Sequence, residues 1–281
     1  EIKPAYDGAE NIEATTVSTA AQLQEAINEG DADMIILDGN IDLASLLLRS
    51  AAGLVIPADR EVTIDLGGYT LSYASAEQGD VMIQNNGTLT IQNGNVVYTY
   101  KGEADSNYGK GNYTISNNGT LNVDANISVD VENYEGKFPH ALYAIQQAGT
   151  LVVNGGTISN DHNIAIRQWI GSETVSSNIT INDGEIIGTR AIWMQLPNNN
   201  TSKAPLANVT IKGGTLTARE DNGYKLAIYS YTYGNKLQNV EINIEGGVFN
   251  GDIALTGGEN KEYVERLTIT GGTFNGFDGD V

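Results

Sequence analysis

LTIQNGNV (89–96), LNVDANIS (121–128), LVVNGGTI (151–158), ITINDGEI (179–186), VTIKGGTL (209–216), INIEGGVF (242–249) and LTITGGTF (267–274) are seven versions of one phrase. Each runs apolar, spacer, apolar, two spacers, Gly, spacer, apolar, and successive copies start 25 to 33 residues apart. A period of this length is the mark of a solenoid, whose layers bury their apolar side chains only when stacked on one another. Within a copy, Leu151 and Val153 point one way and Val152 the other, because side chains alternate along a strand. The Asn-Gly, Gly-Gly or Asp-Gly that follows supplies a turn with positive φ at little steric cost. The second copy departs from the pattern. Asn126 stands at the Gly position and Ile127 comes one residue early, which predicts a bulge or register shift there.

A third strand recurs in each layer: VMIQ (81–84), YTIS (113–116), YAIQ (143–146), IAIRQ (164–168), AIWMQ (191–195), LAIYSY (226–231) and DIAL (252–255). Asn-Gly and Asp-Gly are also hairpin signals, but three strand-like segments per repeat count against a row of hairpins. The long coils between strands count against a hexapeptide left-handed helix. The expected fold is therefore all-β: a single right-handed parallel β-helix of three sheets and about eight layers, on the order of 40 Å long at about 4.8 Å per layer. Upstream, Thr19 and Gln22 have capping-box spacing, Leu23, Ala26 and Ile27 share one face, and Gly30 is a stop. This predicts a capping helix over residues 17–30, with MIIL (34–37) a short strand after it. One domain results, with a loose linker over 1–16, the cap over 17–30 and the solenoid layers over 34–281.

VTIDLGGYTL (62–71) is a degenerate eighth copy. With a capping helix and a short strand before it, the phrase carried by Ile64, Asp65, Leu66, Gly68, Thr70 and Leu71 resembles the start of pectate-lyase-like β-helix proteins. The resemblance covers most of the chain as a layer pattern. It implies the right-handed fold and a secreted bacterial, adhesin-like member of that superfamily. The catalytic phrases do not carry over. Asp161–His162 matches a dipeptide of pectate lyases in different surroundings, and their Arg-x-Pro phrase is missing. The NTD, DD, GHG and RIK strings of polygalacturonase-like β-helices are missing, as is the calcium-binding GGxGxD repeat.

The formal charge is −20, from 35 acidic and 15 basic residues. That argues against nucleic acid as a partner, since phosphate binding depends on clustered Lys and Arg, and against docking on anionic membranes. There are no cysteines, so disulfides and thiolate metal sites are excluded. No apolar run is long enough to span a bilayer, which argues against membrane insertion. The polar opening EIKPAYDGAENIEATT reads as a linker after a removed leader, placing the protein outside the cell or on a bacterial surface. No cofactor is expected. Calcium is the one candidate ion, through Asp278 and Asp280 in the terminal FDGDV.

Aligning the third strands on their central Ile (83, 115, 145, 166, 192, 228, 253) places Gln84, Ser116, Gln146, Arg167, Trp193, Tyr229 and Ala254 in one outward column. Trp169, Gln195 and Tyr231 stand three residues beyond the Ile on the same face, and Arg190 precedes the Trp193 strand. Exposed aromatic faces beside Arg and Gln suit sugars, whose C–H faces lie on rings while their hydroxyls meet amides. The competing reading packs these aromatics under loops 170–177 and 196–206 as a satellite core. The expected function is binding of a polysaccharide or glycan, adhesin-like, at Arg167, Trp169, Arg190, Trp193, Gln195, Tyr229 and Tyr231. The enzymatic alternative is a lyase or glycoside hydrolase on acidic polysaccharide. It uses Asp161, His162 and Arg167, with Tyr224 as a further base, or Asp161 with Glu220 or Asp221 as the carboxyl pair. A third reading is a passive stalk segment that self-associates end to end or side by side, since no cap is evident after Phe274 and Phe277.

Overall fold

The computed structural model describes residues 14–29, 34–47, 52–102, 111–132, 141–170, 176–196, 207–220, 223, 225–232, 239–256 and 264–276. Parallel pairing joins their strands into two hydrogen-bonded sheets, of 17 and eight strands. The larger sheet bends into two ladders, because the strands Thr88–Tyr100 and Thr120–Val131 run unbroken through both. Three faces are therefore built from two sheets, and the fold is an all-β parallel solenoid.

The first residues of the seven phrases pair directly. Leu89, Leu121, Leu151, Ile179, Val209, Ile242 and Leu267 form one continuous line of register partners in the first ladder. The expected irregularity is present: register shifts between Asp124 and Asn126 on one side of the second copy and between Val123 and Asp124 on the other. The smaller sheet forms the third face. Its central column runs Leu54, Ile83, Ile115, Ile145, Ile166, Ile192, Ile228, Ile253, each 6% exposed or less. Leu54, in the strand Ala52–Ile56, is a member that the sequence pattern did not reveal.

The turn at the phrase glycine explains why Gly recurs there. Gly156, Gly184, Gly214, Gly247 and Gly272 all have positive φ. At Gly156 a Cβ would also lie 2.1 Å from the Ala125 carbonyl oxygen of the layer below. Stacked turns thus approach too closely for a side chain, so both conformation and packing select Gly.

The N-terminal end differs in detail from expectation. Among the described residues the helix spans Ala20–Glu29, starting three residues later than the expected 17–30, and it buries Ala20, Leu23 and Ile27 against the first layer. Gln22 N–H donates to Thr19 Oγ1 (3.3 Å), while the Gln22 amide oxygen accepts from Ser18 N–H (3.0 Å), so the reciprocal bond falls one residue before the cap. Ala14–Val17 is a strand, in register with Met34–Leu37. Residues 14–16 therefore belong to the first rung and not to a linker; sheet pairing captures a polar ATT that has no apolar period of its own. At the other end Phe274 stacks on Phe249 (4.8 Å, 13°), and Leu267 and Ile269 are 38% and 50% exposed.

The core is not wholly apolar. Two residues beyond the third-face Ile, the inward column reads Asn85, Asn117, Gln147, Gln168, all with no exposure. Asn85 Nδ2 donates to Asn117 Oδ1 (2.7 Å) and Asn117 Nδ2 to Gln147 Oε1 (2.8 Å). The same nitrogens reach the carbonyls of Thr120 and Thr150, each at 2.8 Å. These amides tie the third face to the turn into the next layer of the first ladder. Asn85 Oδ1 and Gln168 Oε1 have no partner among the described residues, while the bonds centred on Asn117 are made. A buried amide chain is stabilising where its members are satisfied and costly once one is lost. Asn117→Ala is expected to lower unfolding free energy by roughly 2–4 kcal/mol, because it orphans buried partners on both sides. A denaturant midpoint unchanged from wild type would contradict this account of the ladder.

Candidate functional site

The outward column of the third face is formed as the alignment expects. Gln84, Ser116, Gln146, Arg167, Trp193, Tyr229 and Ala254 are successive register partners, as are Trp169, Gln195 and Tyr231. The middle members of these columns, Ser116, Gln146, Arg167, Trp169, Trp193 and Gln195, border a recess of about 560 Å³. Its walls are Tyr113, Tyr143, Trp169 and Trp193, with Ser116, Asn118, Gln146, Arg167 and Gln195 between them. It spans four successive rungs, roughly 14 Å along the solenoid axis at about 4.8 Å per step.

Tyr113 and Tyr143 enter this site through a break in strand alternation. Thr114 with Ile115, and Ala144 with Ile145, are adjacent residues that are both fully buried. A small residue before the column Ile turns inward with it, so the residue two before the Ile joins the outward row. Arg190, two before Ile192, does the same and lays its guanidinium 5.1 Å from the Tyr229 ring. The pattern is visible in YTI, YAI and RAI, but strict alternation assigns those tyrosines to the interior.

Arg167 is the centre of the recess. Its guanidinium carbon lies 5.2 Å from the Tyr143 ring, 4.4 Å from Trp169 and 5.4 Å from Trp193, all within cation–π range. Its Nε–H and Nη2–H both donate to Gln195 Oε1 (3.0 and 2.6 Å), and Nη1–H donates to Gln146 Oε1 (3.2 Å). Tyr113 and Tyr143 stack at 5.8 Å and 9°, and Trp193 meets Tyr143 edge-on at 6.4 Å and 69°. Burial raises the Tyr113 hydroxyl pKa, with the charge and hydrogen bond of Arg167 pulling part of the way back. Tyr113 is therefore a neutral donor and acceptor at physiological pH, not a phenolate. The indole nitrogen of Trp193 is buried without a partner among the described residues, so Trp193 offers its ring carbons to the recess and not its N–H.

The other expected site residues are not gathered here. Of Asp161, His162 and Arg167, only Arg167 lines the recess. Asp161 pairs with Arg219 (2.6 Å), and both side chains are about half exposed. Asp161 and His162 sit on a turn braced by Asn160. Its Oδ1 accepts the N–H groups of His162 and Asn163, and its Nδ2 donates to the carbonyls of Leu142 and Ile164. Asp161 and His162 stand near Arg167 in the chain but do not line the recess with it. Arg190 and Tyr229 form their own pair beside the recess. Glu220 is exposed. The side chain of Tyr231, and Asp221, Tyr224, Asp278, Asp280 and most of loops 170–177 and 196–206, lie outside the described residues. Among the described residues no Asp or Glu lines the recess, and no cluster of three or more His, Asp or Glu could hold a metal. No described helix is long and apolar enough to cross a membrane.

The Asp161–Arg219 pair is solvated, and such pairs contribute about 0–1 kcal/mol. Asp161→Asn is expected to leave the thermal midpoint and any saccharide affinity of the chain within error of wild type; a loss of ligand binding on this change would return Asp161 to the site. Comparison with protein-family models, curated proteins and solved structures finds no match to this chain, so the geometry of the recess stands on its own.

Proposed function

We propose that this protein is an extracellular or cell-surface β-solenoid that binds a saccharide in the aromatic recess of its third face. The supporting observation is the combination of four aromatic side chains with Gln146, Gln195, Ser116 and Asn118 in one recess of about 560 Å³. That volume falls in the range of small-ligand sites, which are mostly apolar with a few placed polar groups. Sugars carry both surfaces at once. Their C–H faces pack on rings, and their hydroxyls exchange hydrogen bonds with carboxamides and hydroxyls. The likeness of the layer pattern to pectate-lyase-like β-helices fits this reading at the level of architecture.

Recognition is favoured over turnover. Glycoside hydrolysis commonly uses two carboxyl groups flanking the bond, and the described lining offers none. Proton abstraction from a uronate would need a base, and the Tyr113 hydroxyl is shifted away from ionisation. A long rod with a lateral recess suits a surface protein that presents a binding face away from its ends.

The test is calorimetric titration against neutral and acidic oligosaccharides found by glycan array. Trp169→Ala and Trp193→Ala are each expected to weaken binding about tenfold or more, as for anchoring aromatics in interfaces, while the circular dichroism spectrum is kept. Affinity unchanged in both variants would remove the recess from the function.

A further inference from the structure

Resting on the saccharide reading, we infer that the recess selects uncharged sugars, with Arg167 acting as a positioning residue that sets the orientation of Gln146 and Gln195. The expected role of a lone Arg in a sugar site is to neutralise a uronate carboxylate. The geometry argues otherwise. A guanidinium captures a carboxylate through a fork of two parallel N–H groups. One fork of Arg167, Nε with Nη2, is already closed on Gln195 Oε1 at 3.0 and 2.6 Å. Nη1, one arm of the other fork, also donates, to Gln146 Oε1 at 3.2 Å. Three aromatic rings lie against the cation as well. A uronate would have to expel an amide that is 5% or 8% exposed and leave its oxygen without a donor.

The same bonds fix the face that a ligand meets. Arg167 has donors only, so it can bind only the oxygen end of each carboxamide. The NH2 ends of Gln146 and Gln195 are thereby turned off the cation, as donors to sugar hydroxyl oxygens. No carboxylate among the described lining residues accepts a sugar hydroxyl, so these amides, Tyr113 and Ser116 carry the polar recognition. The formal charge of −20 adds a field that repels polyanions before they reach the recess. A neutral saccharide meets neither obstacle.

The experiment compares pairs of oligosaccharides that differ only in a hydroxymethyl or carboxylate at the same carbon, titrated into wild type, Arg167→Lys, Arg167→Met and Trp169→Ala at low and high salt. The inference expects the neutral member to bind about tenfold or more tightly than its uronate partner, with little salt dependence. Arg167→Lys keeps the charge but lacks the fork, so it is expected to lose neutral-ligand affinity as Arg167→Met does. A uronate bound more tightly than its neutral partner, weakening with salt and retained in Arg167→Lys relative to Arg167→Met, would make Arg167 the counter-ion and overturn the inference. That outcome leaves the saccharide reading intact. Wild type binding neither class, or binding unaffected by Trp169→Ala, overturns the saccharide reading itself and the selectivity with it. The wild-type selectivity and its salt dependence do not depend on any variant folding.

Discussion

The structure depends on parallel stacking in strict register. A solenoid layer is only about 4.8 Å thick, too thin to have an interior of its own, so each inward Ile or Leu is buried by its counterparts above and below. The third-face column from Leu54 to Ile253 and the first-ladder column from Leu89 to Leu267 are the outcome. Slippage by one residue would exchange inside for outside along a whole strand. The repeated phrase encodes the restraint against it: apolar residues two apart, then a turn that in five of the seven copies carries a positive-φ Gly.

Polar groups reinforce this restraint where apolar packing is least discriminating. Ile slides past Ile at small cost, but Asn85, Asn117 and Gln147 can satisfy one another only when their rungs are aligned. The same alignment has an outward consequence. Residues 21 to 30 positions apart in the chain, such as Gln146, Arg167, Trp193 and Ser116, become neighbours on adjacent rungs. The recess is a by-product of the core, with its inner wall fixed by the buried Ile of each strand that carries it.

Much of this was legible in the chain and some was not. The Ile column and the outward row from Gln84 to Ala254 follow from period and alternation alone. Leu54 escaped notice because AGLVI lacks the polar flank that marks the later strands. The strand Ala14–Val17 escaped because a polar edge strand takes its order from its partner, not from its own residues. The Asn–Gln ladder could have been found, since alternation from Ile115 and Ile145 places Asn117 and Gln147 inside. Polarity argued for the surface, and buried pairing decided the matter. The site was half readable: Arg167 and both Trp residues were placed on one face, but their closing around the guanidinium depends on side-chain torsions that no spacing encodes. Asp161 and His162 show that nearness in sequence is not nearness to the recess. They stand six and five residues before Arg167 in sequence, on a turn whose N–H groups bond Asn160, and neither lines the recess.

Register is best tested by cross-linking, and a chain without cysteine is suited to it. Gln84 and Ser116 are direct partners on adjacent third-face rungs, whereas Gln84 and Gln146 are separated by the rung between. Adjacent rungs put Cα atoms about 4.8 Å apart, inside the disulfide range, and two rungs put them roughly 10 Å apart, beyond it. Under mild oxidation, Gln84→Cys with Ser116→Cys should form an intramolecular disulfide, and Gln84→Cys with Gln146→Cys should remain reduced. Cross-linking of the second pair without the first would contradict in-register stacking, and with it the recess that the stacking creates.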